Sequence, residues 1–373
     1  MSAIEVKFGR SFDLDAGKAV KELAAQLGGI EPDALIFFCS PKYDRAVLGK
    51  AIKATFDCPV IGCTTAGEIL GGEGYIEDSI VCTAIVSEKL TMKPVFVSDL
   101  RAFVDSAAPK ELDAFVEVNR KNSFILLLID GLSKLEENVI AIINQVLMGI
   151  PLIGASAGDN LDFGHTWVYH DGAFHENAAV LALFETTLPF MPAHIQHFEP
   201  TDARLVITDA EVATRTVTEI NGMPAVDGYA DAVGMTVDKL TPQVFASHPV
   251  MLKIGGEYYV RSIQKVNPDG SLTFFCTIDT GLVLTVAQHS TTLVDNLEKG
   301  LATVCESIAK PVLILGSDCI LRRLEMQQHG ELDRVKQVLA QYPFIGFSTY
   351  GEQFGAVHVN HTLTALILGD EPQ

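Results

Sequence analysis

The stretch PVIGCTTAGEI at residues 59–69 returns twice in closely similar form. The second copy is PLIGASAGDNL at residues 151–161, and the third is PFIGFSTYGEQF at residues 343–354. Each copy has a proline, an isoleucine-glycine pair, one or more hydroxyl side chains, a second glycine and a carboxylate. Because repeats of one pattern fold into repeats of one supersecondary unit, these three copies decide the predicted architecture.

An apolar run precedes each copy, at residues 34–40, 124–131 and 311–319, and each run predicts a buried strand. A helical segment joins this strand to the copy, and the proline of the copy ends the helix because proline lacks a backbone donor. A strand, a helix and a second strand with a short return favour parallel pairing within each unit.

Segments that predict antiparallel strands follow the first two copies. Residues 78–97 contain two apolar runs that predict a β-hairpin, and residues 165–185 predict another around an Asp171-Gly172 turn. The predicted fold class is therefore α/β, with α+β mixed character. Repeated strand-helix-strand-hairpin units form mixed sheets, and helices flank these sheets.

Two domains are expected from the length of 373 residues, because a single hydrophobic core seldom extends over a chain of that size. Residues 188–204 contain three prolines and lack clear periodicity, which indicates a boundary. We therefore predict a first domain at residues 1–197, with two copies of the unit. The second domain, at residues 198–373, contains a strand-rich insert and the third copy.

The chain is acidic, since 27 basic and 47 acidic residues give a formal charge of −20. Such a surface repels phosphate groups and anionic lipids, so we expect no binding to nucleic acid or to a membrane. No apolar run reaches the ~18 residues of a membrane span, and the first residues carry no signal-peptide core. Seven cysteines lack the density of a disulfide scaffold, so reduced thiols and a cytoplasmic location are expected.

The three copies also predict a binding site. In open parallel sheets the loops after the carboxyl ends of the strands gather along one edge, where ligands usually bind. Hydroxyl, carboxylate and thiol side chains at that edge suit a small polar ligand better than a phosphate. The predicted ligand-binding residues are Ser40, Cys63, Thr64, Thr65, Glu68, Ser156, Asp159, Cys319, Arg322, Ser348 and Glu352.

The same pattern also has an architectural interpretation. The proline stops a helix, the first glycine permits a tight turn at the end of a strand, and the acid caps the next element. Both interpretations stay open at the level of the sequence.

An enzymatic alternative comes from GASAG at residues 154–158, which matches the Gly-x-Ser-x-Gly pattern of hydrolases. In that pattern Ser156 would be a nucleophile on a strand-to-helix turn. The following sequence predicts a loop and a strand instead of a helix, and the other two copies lack the pattern. A serine hydrolase is therefore the alternative from a different class.

Metal-binding sequence patterns are weak, since the chain has neither Cys-x-x-Cys nor His-Glu-x-x-His. Two histidines are the better candidates for binding a metal or a haem. His165 and His361 each lie in an apolar-rich strand downstream of a copy, within reach of the predicted site. A solvated or hydrogen-bonded side chain is the alternative for both.

Longer motifs in both halves of the chain carry a family resemblance. The first half contains VIGCTTAGEI, IGASAGDNLDF and VYHDG, and the second contains VTEINGMPAVDGY, GGEYYVRSIQKVNPDGSLTF, GFSTYGEQF and VNHT. On these motifs the chain resembles the FIST family of sensory proteins over nearly its whole length. The two predicted domains would then be a FIST N-terminal and a FIST C-terminal domain.

The resemblance implies a non-enzymatic, cytoplasmic ligand sensor of bacterial signal transduction. Its expected partner is a sensor histidine kinase or a cyclic-di-GMP enzyme, either a diguanylate cyclase or a phosphodiesterase. Stand-alone members include haem-binding nitric-oxide sensors, which implies haem b as the cofactor and nitric oxide as the gas ligand. The resemblance carries over no axial ligand, so His165 and His361 are candidates by their position alone.

A second expectation within the same class is a sensor of a small polar molecule, such as an amino acid, that works without haem. A homo-oligomer is a further expectation for a protein of this kind.

Overall fold

The computed structural model describes residues 3–115 and 118–370. The helices are α1 (Ala16–Leu27), α2 (Arg45–Thr55), α3 (Leu100–Asp105), α4 (Glu136–Val146), α5 (Ala225–Ala232), α6 (Pro242–Ser247), α7 (Leu293–Glu306), α8 (Ile320–Gln328) and α9 (Leu332–Leu339). Short 3-10 helices cover Lys110–Phe115, Val212–Thr214 and Val237–Lys239. Within the described ranges, no helix has both the length and the hydrophobicity that crossing a membrane requires.

The strands fall into two halves of the chain. The first half contains β1 (Glu5–Ser11), β2 (Ala34–Cys39), β3 (Val60–Thr64), β4 (Glu68–Leu70), β5 (Gly74–Ile76), β6 (Ile80–Val86), β7 (Leu90–Val97), β8 (Ser123–Ile129), β9 (Leu152–Ser156), β10 (Val168–His170), β11 (Ala173–His175), β12 (Ala179–Thr186) and β13 (Phe190–Ile195). The second half contains β14 (Phe198–Glu211), β15 (Thr216–Ile220), β16 (Met223–Pro224), β17 (Val250–Ile254), β18 (Glu257–Arg261), β19 (Ile263–Val266), β20 (Leu272–Phe274), β21 (Val283–His289), β22 (Pro311–Cys319), β23 (Phe344–Thr349), β24 (Glu352–Phe354), β25 (Val357–Val359) and β26 (Leu363–Gly369).

Three units repeat one order of elements. Each unit has a strand, a helix or helix pair, a parallel second strand, a hairpin and an antiparallel return strand. The parallel pairs are β2–β3, β8–β9 and β22–β23. The return strands β6, β12 and β26 each pair antiparallel with the first strand of their own unit. The prediction of repeated α/β units with mixed sheets is therefore confirmed.

Each of three six-stranded sheets is completed by strands from outside its own unit. The strand orders are β1-β6-β2-β3-β10-β11, β7-β12-β8-β9-β24-β25 and β13-β26-β22-β23-β4-β5. In every sheet the hairpin comes from the following unit, and the third sheet receives the hairpin of the first unit. Because this exchange closes in a circle, no unit can complete its sheet alone.

The predicted hairpin at residues 78–97 is wrong. Strand β6 already pairs on both sides, with β1 and with β2, so it has no free edge for β7. Strand β7 instead pairs with β12 of the second sheet. The turn between β6 and β7 therefore carries the chain from one sheet to the next. Alternating apolar residues indicate a strand, but they do not show which partner the strand takes.

The hairpin predicted around Asp171-Gly172 is confirmed. Strands β10 and β11 pair antiparallel, with His170 opposite Ala173. Asp171 and Gly172 have φ values of 46° and 90°. Tight two-residue hairpin turns need positive φ at both central positions, which is why an Asp-Gly pair predicts them well.

One hydrophobic core fills the space between the three sheets. It contains buried side chains from every unit, among them Phe38, Leu126 and Phe347. The ring centroids of Phe38 and Phe347 lie 4.5 Å apart. Helices cover the outer faces, where separate apolar clusters hold α1 with α2, α3 with α4, and α7 with α8 and α9. Burial on both faces explains why the strands of the units read as continuous apolar runs.

The strand-rich insert between the second and third units forms a fourth sheet. Its order is β18-β17-β21-β14-β15-β20-β19, and β16 pairs with β15. Strands on either side of the predicted domain boundary also pair directly, β13 with β26 and β9 with β24. The predicted boundary between residues 197 and 198 divides the sequence into two parts. In the folded protein these two parts share sheets.

The first glycine of each repeat is needed for close contact and not for a turn. Gly62, Gly154 and Gly346 lie within β3, β9 and β23, and none of them has a positive φ. A Cβ on Gly62 would lie 2.5 Å from the ring of Phe37, and one on Gly346 would lie 1.9 Å from the carbonyl oxygen of Gly316. The expectation of a tight turn is wrong, because neighbouring groups occupy the space of a Cβ.

Gly346→Ala should lower the free energy of unfolding by about 2–3 kcal/mol, because the added Cβ displaces the backbone of β22. Gly72→Ala is the matched control, since nothing lies within 4 Å of its Cβ position. Urea denaturation measures both variants. Equal stability of the two would show that the strands do not approach as closely as described.

Candidate functional site

The three repeated segments meet at one end of the sheets. We call them corner 1 (residues 64–68), corner 2 (residues 156–160) and corner 3 (residues 348–352). Backbone hydrogen bonds join each corner to the other two. The three copies of one sequence pattern therefore lie side by side.

Direct contact between the corners fills the space at their centre. The N–H of Ala66 donates to the carbonyl of Ser348 at 3.0 Å, which joins corner 1 to corner 3. The N–H of Gly158 donates to the carbonyl of Thr64 at 3.0 Å, which joins corner 2 to corner 1. Corner 3 accepts the N–H of Ser156 at 2.9 Å. Backbone contacts therefore occupy the point where the three corners meet.

The second glycine of each repeat lies where a side chain does not fit. Gly67 has a φ of 118°, a backbone conformation that other residues rarely adopt. A Cβ on Gly158 would lie 2.6 Å from the nitrogen of Ala66, and one on Gly351 would lie 2.3 Å from the ring of His358. A larger residue at position 158 would therefore push corner 2 away from corner 1, and one at position 351 would displace His358.

All eleven predicted ligand-binding residues lie beneath the surface of this end of the molecule. Their accessible fractions are 3% or less. Hydrogen bonds among them and their neighbours form a buried polar layer. A ligand could reach this layer only through the side chains above it, so the ligand-binding role of these residues stays a prediction.

Glu68 organises the part of the layer at corner 1. Its carboxylate accepts hydrogen bonds from Thr65 Oγ1 at 2.5 Å and from Ser79 Oγ at 2.6 Å. Burial raises the pKa of Glu68 to about 7, although these two hydrogen bonds act in the opposite direction. Glu68 therefore changes its charge near neutral pH.

Glu352 has the equivalent place at corner 3. Its carboxylate accepts a hydrogen bond from Thr362 Oγ1 at 2.7 Å, and burial raises the pKa of Glu352 well above its usual range. Thr362 precedes the return strand β26, as Ser79 precedes the return strand β6. In both units the carboxyl group of the repeat thus connects the corner to the start of the return strand.

Corner 2 uses its acid differently. Asp159 accepts the backbone N–H groups of Phe163, Gly164 and His165 at 3.0, 2.7 and 2.9 Å. The hydroxyl of Tyr350 in corner 3 also donates to Asp159. These bonds hold the loop after corner 2 against corner 3.

Arg322 is fully buried in an ion pair. Its Nε donates to Asp318 Oδ1 at 2.6 Å, and the hydroxyl of Tyr75 donates to the other oxygen of Asp318. Burial raises the pKa of Asp318, although the neighbouring guanidinium acts to lower it. The pairing indicates a structural role for Arg322, because removal of one partner would leave a buried charge unpaired.

The thiols of the predicted site are protonated. Burial raises the pKa of Cys63 and of Cys319, and the nearby Glu68 and Glu352 respectively add to this effect. All seven cysteines, each of which lies in the described part of the chain, are free thiols. A buried, protonated thiol is a poor nucleophile and a poor metal ligand.

A cavity of about 350 Å³ lies directly outside the three corners, and we call it the corner cavity. All three units contribute to it, and its volume falls in the range of small-molecule pockets. Its lining residues are Pro41, Lys42, Ala66, Glu77, Asp78, Asn160, Leu161, Asp162, Ile320, Arg323, Leu324 and Gln327.

None of these lining residues is among the ligand-binding residues predicted from the sequence. Several are chain neighbours of predicted ones, as Ala66 follows Thr65 and Arg323 follows Arg322. The predicted polar side chains turn inward and bond to one another, whereas their neighbours face the cavity. The sequence feature that could have indicated the cavity is the presence of charged residues, such as Lys42, in the loops after the strands.

The corner cavity carries both signs of charge, with two basic and three acidic side chains. Lys42 Nζ lies 2.6 Å from a carboxylate oxygen of Asp78. Arg323 Nη1 donates to the carbonyl of Ala66 at 2.6 Å, and Nη2 pairs with Glu77. Both cations are therefore partnered by groups that a polar ligand could replace.

The loop that forms one wall of the corner cavity has an unusual backbone. Asn160, Leu161 and Phe163 have φ values of 59°, 72° and 51°. Tyr350 holds the loop, since its hydroxyl accepts the N–H of Leu161 at 2.8 Å and its ring stacks on Phe163 at 4.7 Å. Non-glycine residues with positive φ are costly and are concentrated at ligand-binding sites.

The environment of Ser156 does not fit a hydrolase. Gln353 Nε2 donates to Ser156 Oγ at 3.1 Å, and the imidazole of His358 contacts Gln353 and not Ser156. Ser156 is fully buried, and the chain continues from β9 through a loop into β10 instead of entering a helix. Ser156 thus lacks the access and the adjacent base that a nucleophile needs.

Neither candidate axial histidine fits a haem. The side chain of His165 is 68% exposed, and its Nδ1 contacts Glu176 at 2.5 Å. His361 is fully buried, and its Nε2 lies 3.0 Å from Glu325. The cavity beside Glu325 has a volume of about 180 Å³, below the usual range for cofactor sites. An axial ligand needs a donor atom that is free of other partners and faces a cleft with room for the macrocycle.

Glu68→Gln should weaken the dependence of stability on pH. The unfolded chain releases the proton of Glu68 near pH 4.5, whereas the folded protein keeps it up to about pH 7. Between these values the unfolded state binds fewer protons, so the stability of the unchanged protein falls as pH rises, by up to about 3 kcal/mol. Glu68→Gln lacks this contribution. Urea denaturation at several pH values in this window measures both slopes.

The control for this measurement is Glu199→Gln, because Glu199 is exposed on β14. The stability of Glu199→Gln should change with pH at the same slope as that of the unchanged protein. Parallel slopes for Glu68→Gln and the unchanged protein would show that Glu68 ionises normally in the folded state.

Comparisons with known proteins agree on the family. The family model of the FIST N domain matches residues 33–223, and that of the FIST C domain matches residues 225–355. An uncharacterized protein from Methanocaldococcus jannaschii is 22% identical over 356 residues, and the match covers 83% of this chain and 67% of that protein.

Similarity to solved structures is slight. Cyanuric acid hydrolase from A. caulinodans has a TM-score of 0.27 at 10% identity, with 49% of this chain and 71% of that chain covered. T. maritima PurL complexed with AMPPCP has a TM-score of 0.21 at 11% identity, with 98% and 73% covered. Neither similarity carries a functional argument. The two domain matches cover most of the chain, which therefore belongs to the FIST family of sensory, ligand-binding domains in signal transduction.

Proposed function

We propose that this FIST protein is a sensory protein that binds a small zwitterionic molecule, such as an amino acid, in the corner cavity. One observation carries this proposal: the cavity combines side chains of both charge signs and takes its lining from all three units. The family assignment supports the sensory role, and the cavity supports the class of ligand.

The charges of the cavity suit a zwitterion. Lys42 and Arg323 offer donors to a carboxylate, and the planar guanidinium of Arg323 can bind both oxygens. Glu77, Asp78 and Asp162 offer acceptors to an ammonium group. A ligand with both charges replaces a partner in each existing ion pair and leaves the net charge of the cavity unchanged. A phosphate, by contrast, would meet three carboxylates.

The position of the cavity supports signalling. A ligand that contacts all three units favours the arrangement of the units in which its contacts are best, and it shifts the population toward that arrangement. We propose that this shift alters contact with a sensor histidine kinase or with a diguanylate cyclase or phosphodiesterase. A homo-oligomer and a cytoplasmic location belong to the same proposal.

A non-enzymatic role is also part of the proposal. FIST domains are sensory. The burial of Ser156 and its hydrogen bond from Gln353 support the same conclusion.

Calorimetric titration with the common amino acids should identify at least one that binds. Arg323→Gln should weaken that binding by at least about tenfold, since a charge-assisted hydrogen bond contributes about 1.4 kcal/mol or more. Lys53→Gln is the matched control, because Lys53 is an exposed cation paired with Asp171 outside the cavity. Melting curves verify that both variants fold. Unchanged affinity in Arg323→Gln, or no binding by any amino acid, would contradict the proposal.

Haem-based nitric-oxide sensing is the second candidate, and one observation favours it. A groove of about 560 Å³ is large enough for a cofactor, and its lining includes Cys58, Tyr169 and His170. Burial lowers the pKa of His170, which keeps its imidazole neutral as a haem ligand requires. A haem in this groove would supply the site that binds the gas.

Titration with haem separates the two candidates. A stoichiometric Soret band that shifts with nitric oxide, persists in His165→Ala and disappears in His170→Ala would support haem in this groove. A Soret band that stays at the position of free haem throughout the titration would contradict the second candidate. The binding of an amino acid in the corner cavity does not depend on this result.

A further inference from the structure

Three histidines surround Glu325 of α8. His197 Nε2 lies 3.3 Å from Glu325 Oε1, and His289 Nδ1 lies 3.5 Å from the same oxygen. His361 Nε2 lies 3.0 Å from the other oxygen, Oε2. The four residues come from separate parts of the chain: His197 precedes β14, His289 ends β21, and His361 precedes β26. Only the folded protein brings them together.

We propose that His197, His289 and Glu325 bind a divalent first-row transition-metal ion, and that His361 positions the carboxylate. One donor atom from each of the three ligands lies within 4.8 Å of the others. Two imidazoles and one carboxylate suit such ions and leave coordination positions open for a further ligand. This site is separate from the corner cavity and goes beyond the proposed function.

The charge balance around Glu325 also favours a cation. Glu325 is only 8% exposed. The guanidinium of Arg322, whose Nη1 lies 3.5 Å from His197 Nδ1, is already bonded to Asp318 at 2.6 Å. Among the described residues, the ion-pair partners of Glu325 are the three histidines, and no lysine or arginine pairs with it. An ion bound to His197 Nε2 would require the imidazole proton on Nδ1, which faces the donor Nη1 of Arg322, so that contact would have to lengthen.

His361 has the features of a positioning residue. It is fully buried with a φ of 57°, a conformation that is costly for a residue other than glycine and persists where surrounding contacts hold it. Its Nε2 contacts Glu325, and its Nδ1 has no hydrogen-bond partner among the described residues. Hydrogen bonds of this kind orient a ligating carboxylate, so His361 aims Glu325 Oε1 at the two ligating imidazoles.

A cavity gives the ion access to the site. It has a volume of about 180 Å³, and its lining includes His289, Glu325, Ser247 and His329. The side chain of His289 is 36% exposed. The open coordination positions would face this cavity, which has room for several waters at about 30 Å³ each, or for a small ligand.

Titration of the full chain with Co²⁺, followed by visible absorption, and with Zn²⁺, followed by calorimetry, tests the site. We expect one ion per chain. His289→Ala, at a partly exposed position, should lower the affinity by more than about 100-fold, and His361→Asn by about 10–100-fold. His329→Ala is the matched control, because His329 lines the same cavity and its imidazole does not contact the carboxylate of Glu325. Zn²⁺ should raise the melting temperature of the control but not of His289→Ala.

Three results would overturn the assignment: no stoichiometric ion, equal affinity in His289→Ala and the unchanged protein, or equal loss in His289→Ala and His329→Ala. If Glu325→Gln does not fold, the affinity of His289→Ala for the ion decides the assignment alone. Arg323→Gln should bind Co²⁺ normally, so the metal site and the amino-acid site can fail independently.

Discussion

The circular exchange of strands among the three units is the constraint on which the rest of the structure depends. Each sheet is completed by the hairpin of the following unit, and each corner bonds to the other two. Glycines make this possible, since a Cβ on Gly346 or Gly158 would collide with backbone atoms. The positions of the three units are therefore coupled, so a ligand that contacts all of them would act on the whole assembly.

Helix α8 connects the two sites of the molecule. Arg323 lines the corner cavity, and Glu325, two residues later, contacts the three histidines. Arg322 between them is anchored in the buried polar layer through Asp318. One short helix thus contacts the proposed amino-acid site, the polar layer and the proposed metal site. Any displacement of α8 would change all three environments together.

Much of the fold was predictable because it follows from local patterns. Repeated copies and apolar runs indicated parallel α/β units, and Asp171-Gly172 indicated a hairpin through its need for positive φ. The site was less predictable. Glu68 and Thr65 lie at the corner that the repeats indicated, but they bond to each other beneath the surface. The cavity above them is lined by neighbours such as Arg323, whose direction depends on the assembled corners.

The sequence by itself determined the repeat, the order of strands and helices, the acidic surface and the family, because periodicity, turn chemistry and motifs are local properties. The tertiary structure alone decided that β7 pairs in another sheet and not with β6. Only the assembled sheet shows that both edges of β6 are occupied. It also decided that His197, His289 and His361 meet at Glu325. Residues so far apart in the chain share no local pattern, and packing alone brings them into contact.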